Sequence, residues 1–265
     1  MKVFVIDQAY CNGCHGCQIA CKDEHCGNDW MPYQKAQPET GHFWMKVHQK
    51  THGQVPKVKL EYKPVMCQHC DNPMCAVTDA VTKREDGLVV IDPVKAKGHR
   101  EIMEACPYNV IYWNDEFDIP QKCDGCAHLV DAGQTPHCVE MCVTEALKFG
   151  EEEDFQEEIA KGAQIIKGDS KPRVYYLNEP GLFIGGEVWD PEIDEIIEGA
   201  TITLVFSDGS TEVTKSDHWG DFWFKKLEKG TYSVKIDAEG YKAVSKDNIE
   251  LTESLNIGDF PLEKL

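Results

Sequence analysis

The stretch Cys11-Asn-Gly-Cys14-His-Gly-Cys17-Gln-Ile-Ala-Cys21 decides how the rest of the chain is read. Its C-x2-C-x2-C-x3-C spacing wraps three thiolates around one four-iron cube and sends the fourth sulfur to a different cube. That crossing requires a second cysteine group far along the chain. Three candidates stand in the sequence: Cys67, Cys70 and Cys75; Cys106; and Cys123, Cys126, Cys138 and Cys142.

All 13 cysteines lie between Cys11 and Cys142 in a chain of 265 residues, which is long enough for two domains. A disulfide framework belongs to short secreted chains. The opening Met-Lys-Val-Phe-Val-Ile-Asp carries no Sec or twin-arginine signal, and no apolar run approaches the roughly 20 residues that span a bilayer. Reduced thiols in the cytoplasm are therefore expected, with export of the folded chain beside a signal-bearing partner as the alternative. Structural zinc is the weaker assignment, because a run of three cysteines with two-residue gaps suits a cube better than a tetrahedral ion. The net charge of −19 argues against nucleic acid as a partner. Such acidity either steers the chain toward a basic patch on another protein or only keeps it in solution.

Lys2 to Asp7 alternate like a short strand, and the residues after Cys17 have helix-forming composition. This strand, cysteine loop and helix recur in modified form at Gly87-Leu-Val-Val-Ile-Asp92 and Ile102-Met-Glu-Ala-Cys106-Pro107. The repeat predicts an α+β ferredoxin-like domain over residues 1–181. A cysteine-free insertion at 30–64, rich in aromatics and histidine, interrupts it. His15, His25, His69, His128 and His137 stand beside cysteines, where a ring N–H can tune a sulfur. Glu151 to Lys161 reads as an acidic surface helix, Pro172 to Leu177 as a strand and Asn178 to Gly181 as a linker. From Leu182 the texture changes. Short alternating runs at Phe183–Trp189, Ala200–Phe206, Phe222–Phe224 and Thr231–Ile236 predict an all-β sandwich over 182–265. Its loop acids Asp217, Asp221, Asp237 and Glu239 read as solvated rather than as a calcium site.

Residues 1 to about 177, down to Pro172-Arg-Val-Tyr-Tyr-Leu177, resemble the iron–sulfur electron-transfer subunit of the molybdopterin oxidoreductases of the dimethyl sulfoxide reductase family. The resemblance implies two fused bacterial ferredoxin units, which in that family typically hold four cubes on sixteen cysteines. Carried over, Cys11, Cys14, Cys17 and Cys142 hold one cube; Cys21, Cys123, Cys126 and Cys138 a second; Cys67, Cys70, Cys75 and Cys106 a third. The fourth site would need cysteines where Ala96, His99 and Ile102 stand, and by offset a ligand at Asp79. All four losses fall on one cube, so three [4Fe-4S] clusters are expected and Cys26 is left over as a plain thiol.

Three cubes followed by a sandwich, with Gly41-His-Phe-Trp-Met45, Tyr62-Lys-Pro before Cys67, and Arg84-Glu-Asp-Gly87, resemble the subgroup of pyrogallol–phloroglucinol transhydroxylases and catechol dehydroxylases. The second domain resembles transthyretin-like, immunoglobulin-like or carboxypeptidase-regulatory-like sandwiches. The resemblance implies a non-catalytic subunit that relays electrons to or from a molybdopterin guanine dinucleotide site on a larger partner acting on a phenolic ring. No catalytic residue is expected on this chain. The alternative is a stand-alone polyferredoxin-type carrier with a β-sandwich docking module.

Overall fold

Val3, Phe4, Val5 and Ile6 leave no face to solvent, so Lys2–Asp7 becomes the middle strand of a three-stranded sheet. The computed structural model, which describes residues 1–265, pairs it antiparallel with Leu147–Glu151 and parallel with Val174–Leu177. Phe4 and Ile6 face the cysteine-rich core, while Val3 and Val5 pack with Leu177, Phe155, Ile159 and Tyr175 on the other side. The register Ile6↔Leu147, extended by the Asp7 amide donating to the Ala146 carbonyl at 2.8 Å, sets the first cysteine loop beside the segment that carries Cys142. One strand pairing thus joins the two ends of the cysteine region.

This sheet belongs to the first of two compact units, Met1–Gln49 with Tyr62–Glu179. The unit also holds two small hairpins, Val81–Lys83 with Val89–Ile91 and Tyr112–Asn114 with Ile119–Gln121. Its helices are short: Gly16–His25, Glu101–Glu104, Ala127–Asp131 and His137–Glu140 around the thiols, and Gln156–Lys161. The acidic segment is not one helix from Glu151. Glu151 stays in the sheet opposite Lys2, a 3-10 turn covers Glu152–Phe155, and only Gln156–Lys161 is α-helical.

The second unit is Lys50–Glu61 with Pro180–Leu265. Residues 50–61, which the sequence pattern assigns to the insertion of the first domain, are the end of a hairpin, Lys46–Gln54 with Lys57–Val65, and group with this unit instead. The rest is all-β. One sheet holds Glu195–Ile196, Leu182–Asp190, Asp221–Leu227 and Leu255–Pro261; the other holds Thr211–Lys215, Thr201–Val205, Gly230–Asp237 and Val244–Leu251. Alternation places Ile202, Leu204, Phe222, Phe224, Val234 and Ile236 in its core. Four strands escape a reading of hydrophobic alternation: Glu195–Ile196 is two exposed residues, Thr211–Lys215 and Val244–Leu251 are mostly exposed, and Leu255–Pro261 carries a glycine and an aspartate. No helix of the chain is long and apolar enough to cross a membrane.

Candidate metal centre

Three C-x2-C turns share one backbone device. The residue before the second cysteine is left-handed in each: Gly13 at φ 71°, His69 at 44° and Gly125 at 73°. That bend turns an amide N–H back onto the first sulfur of the turn. Gly13 donates to Cys11, His69 to Cys67 at 3.5 Å and Gly125 to Cys123 at 3.4 Å. Amides that converge in this way form a small anion-binding nest. Glycine is required at two of these positions for a second reason: a Cβ on Gly13 would sit 2.3 Å from the Tyr62 ring, and one on Gly125 2.6 Å from Leu88. His69 departs from the pattern because its side chain has a use.

All 13 thiols are free, and mutual repulsion between neighbouring thiols relates twelve of them in three groups of four. In the first, burial and repulsion from Cys11, Cys142 and Cys14 push Cys17 up to about 12. In the middle set burial and the neighbouring thiols hold Cys123, Cys126 and Cys138 well above the ordinary thiol range, with Cys21 among the repelling groups of each. In the third, burial and repulsion from Cys67, Cys75 and Cys106 push Cys70 up to about 12. Each set joins cysteines distant in sequence.

The sets are ordered in space. Cys17 and Cys21 stand one turn apart on the helix Gly16–His25, tying the first set to the middle one. Cys67 repels Cys123, tying the third set to the middle one. Cys14 is exposed and Cys11 and Cys142 are partly so, whereas every thiol of the other two sets is buried.

The residues fit iron–sulfur cubes. Cysteine-only sets of four are the donor type of such clusters, and thiols crowded and buried in this way keep their protons unless a cation among them supplies the opposite charge. The third set lines one pocket with Pro73, Met74, Val89, Pro107 and Ile111. Polar groups aim at the sulfurs. His69 is fully buried and held neutral by burial and by Lys122 and Lys83; its Nδ1 accepts the Val89 amide at 3.0 Å, so its one proton sits on Nε2, 3.8 Å from Cys123 Sγ. Burial likewise favours neutral His25, whose Nε2 lies 3.7 Å from Cys126 Sγ and 3.8 Å from Asp124 Oδ1. Because Cys126 belongs to the middle set, His25, Asp124 and Cys126 are an edge of that site rather than a separate one.

Of the other histidines beside cysteines, His15 meets Gln18 at 3.4 Å, while His128 and His137 both meet the Glu24 carboxylate, at 2.9 and 3.0 Å. None of these three hydrogen-bonds a sulfur. At the four positions where the family resemblance implies a fourth cube, Ala96 and Ile102 are fully buried in the apolar core, His99 pairs with Glu101, and Asp79 is 85% exposed and pairs with Lys95 at 3.2 Å. Cys26 lies outside the three sets and bridges Gln37 through its backbone. Sequence patterning missed Lys122, a lysine only 1% exposed; its position next to Cys123 was the one signal of it.

Comparison with known proteins gives two family matches, the 4Fe-4S dicluster domain over residues 58–152 and the carboxypeptidase regulatory-like domain over residues 184–262. The chain is 36% identical to the pyrogallol hydroxytransferase small subunit of Pelobacter acidigallici over 274 aligned residues, covering 96% of both chains. It is 34% identical to a component of the anaerobic dimethyl sulfoxide reductase of Escherichia coli, over 68% of this chain and 86% of that one. With a component of the tetrathionate reductase of Salmonella typhimurium the identity is 32%, over 68% and 73%.

Proposed function

We propose, since this chain belongs to the family of molybdoenzyme iron–sulfur subunits that includes the pyrogallol hydroxytransferase small subunit, that it is the electron-transfer subunit of such a complex and holds three [4Fe-4S] clusters. Its assignment rests above all on the three sets of four thiols: Cys11, Cys14, Cys17 and Cys142; Cys21, Cys123, Cys126 and Cys138; Cys67, Cys70, Cys75 and Cys106. Exchange of the fourth cysteine between the first and middle sets, together with the strand–loop–helix around each, supports two fused ferredoxin units. When bound, the cubes supply stepwise one-electron transfer. The chain's own part is to hold their sulfurs, exclude water from two sets and aim N–H donors from Gly13, His69 and Gly125 at them.

The partner in this proposal is a large catalytic subunit with a molybdopterin guanine dinucleotide site that acts on a phenolic substrate, by transhydroxylation or reductive dehydroxylation. This chain supplies no group to that chemistry. The C-terminal sandwich is a docking or stabilising module. Anaerobically purified chain should contain about twelve iron and twelve sulfide, four of each per cube. A reproducible value near sixteen iron overturns the count of three. Co-purification with a molybdopterin-containing chain tests the partner, and a chain that purifies alone from its own cells overturns it.

A further inference from the structure

Lys122 is only 1% exposed, yet no carboxylate lies within ion-pair distance of its Nζ. The ammonium donates to two carbonyls, those of Val89 and of Cys123, the latter at 2.9 Å. Two carbonyls do not neutralise a buried charge, and an uncompensated one is costly. The groups around it that would carry negative charge with a cluster bound are sulfurs. Lys122 lines the cavity of the third set and stands next to Cys123 of the middle set. Asp124 is itself engaged, accepting the Cys126 amide at 2.9 Å.

We propose that Lys122 is a fixed buried cation shared by the middle and third cysteine sets, and that it raises the reduction potentials of the clusters held there together. The inference rests on the three-cluster reading above. Its physics is simple: one-electron reduction adds negative charge, and a cation held nearby in a weakly polarisable interior favours the reduced form. Lys122 is a positioning residue for charge and binds no iron. The first set, with its exposed Cys14, lacks the same neighbour.

The test uses the full chain, purified anaerobically, with Lys122→Gln, which keeps a donor for the two carbonyls, and Lys122→Met, which does not. Iron content should stay at about twelve per chain. Redox titration followed by paramagnetic resonance should show two clusters harder to reduce by about tenfold, about 59 mV for a one-electron couple, with the third unmoved. Cys106→Ala identifies the signal of the third set. Unshifted potentials at full iron content, or an equal shift of all three, overturn the proposal. A wild-type iron count other than twelve instead overturns the reading beneath it. If both neutral variants lose iron, Lys122→Arg decides. An arginine chain with full iron and unchanged potentials upholds the charge role, and one that also loses iron makes Lys122 a packing residue.

Discussion

His69 Nε2 lies 3.8 Å from Cys123 Sγ although 54 residues separate them, and the Val89 amide on Nδ1 leaves that face of the ring as the donor. A turn residue of the third cysteine set thereby donates to a ligand of the middle one. Because an N–H donor stabilises added negative charge on sulfur, His69→Leu should lower the potential of the middle-set cluster by less than one decade, under about 59 mV. Paramagnetic resonance redox titration at unchanged iron content measures this. No shift would mean that the ring only fills space.

The ligand sets predict a graded series in iron content. Cys106→Ala should lose about four of twelve iron, one cube's worth. Asp79→Ala and Cys26→Ser should lose none, because Asp79 is exposed and paired with Lys95 and Cys26 lies apart from the three sets. Loss of a cube in either of the last two would overturn the assignment.

Gly125→Ala combines a left-handed backbone with a Cβ placed 2.6 Å from Leu88. The expected cost is about 2–4 kcal/mol, conformational strain plus overpacking. Thermal unfolding should detect it, together with weaker retention of the middle cube. Gly27→Ala is the control: that glycine is also left-handed, but its Cβ meets nothing within 4 Å. An equal loss in both variants would remove the packing argument.

In the second unit Lys57 is 4% exposed and donates to Asp221, with Glu187 at 3.9 Å. Lys57→Met should destabilise that unit by about 1–3 kcal/mol, less than a fully buried pair would cost because both acids keep some contact with water. Chemical denaturation followed by tryptophan emission checks it. Since residues 50–61 group with the sandwich, a clean removal of the second unit replaces that hairpin end by a short turn and stops the chain after Leu177. The remaining chain should keep about twelve iron, as no ligand is removed. Loss of iron from a soluble truncation would show that the units are not independent.

Cysteine identity and local spacing sufficed to identify the cluster chemistry, because a C-x2-C-x2-C turn is short enough for covalent geometry to aim its sulfurs by itself. Glycine at positions 13 and 125 and the alternation of Phe222–Phe224 were local signals of the same kind, and the loss of ligands at Ala96, His99 and Ile102 was visible as absence. Only tertiary structure decided the rest. Cys142 meets Cys11 through the pairing of Lys2–Asp7 with Leu147–Glu151, His69 reaches Cys123 across two loops, and Lys122 lies between two sets. Residues 50–61 joined the second unit for the same reason. Contacts of this kind depend on how whole strands and loops pack, and an electrostatic neighbour leaves no periodic trace along a chain.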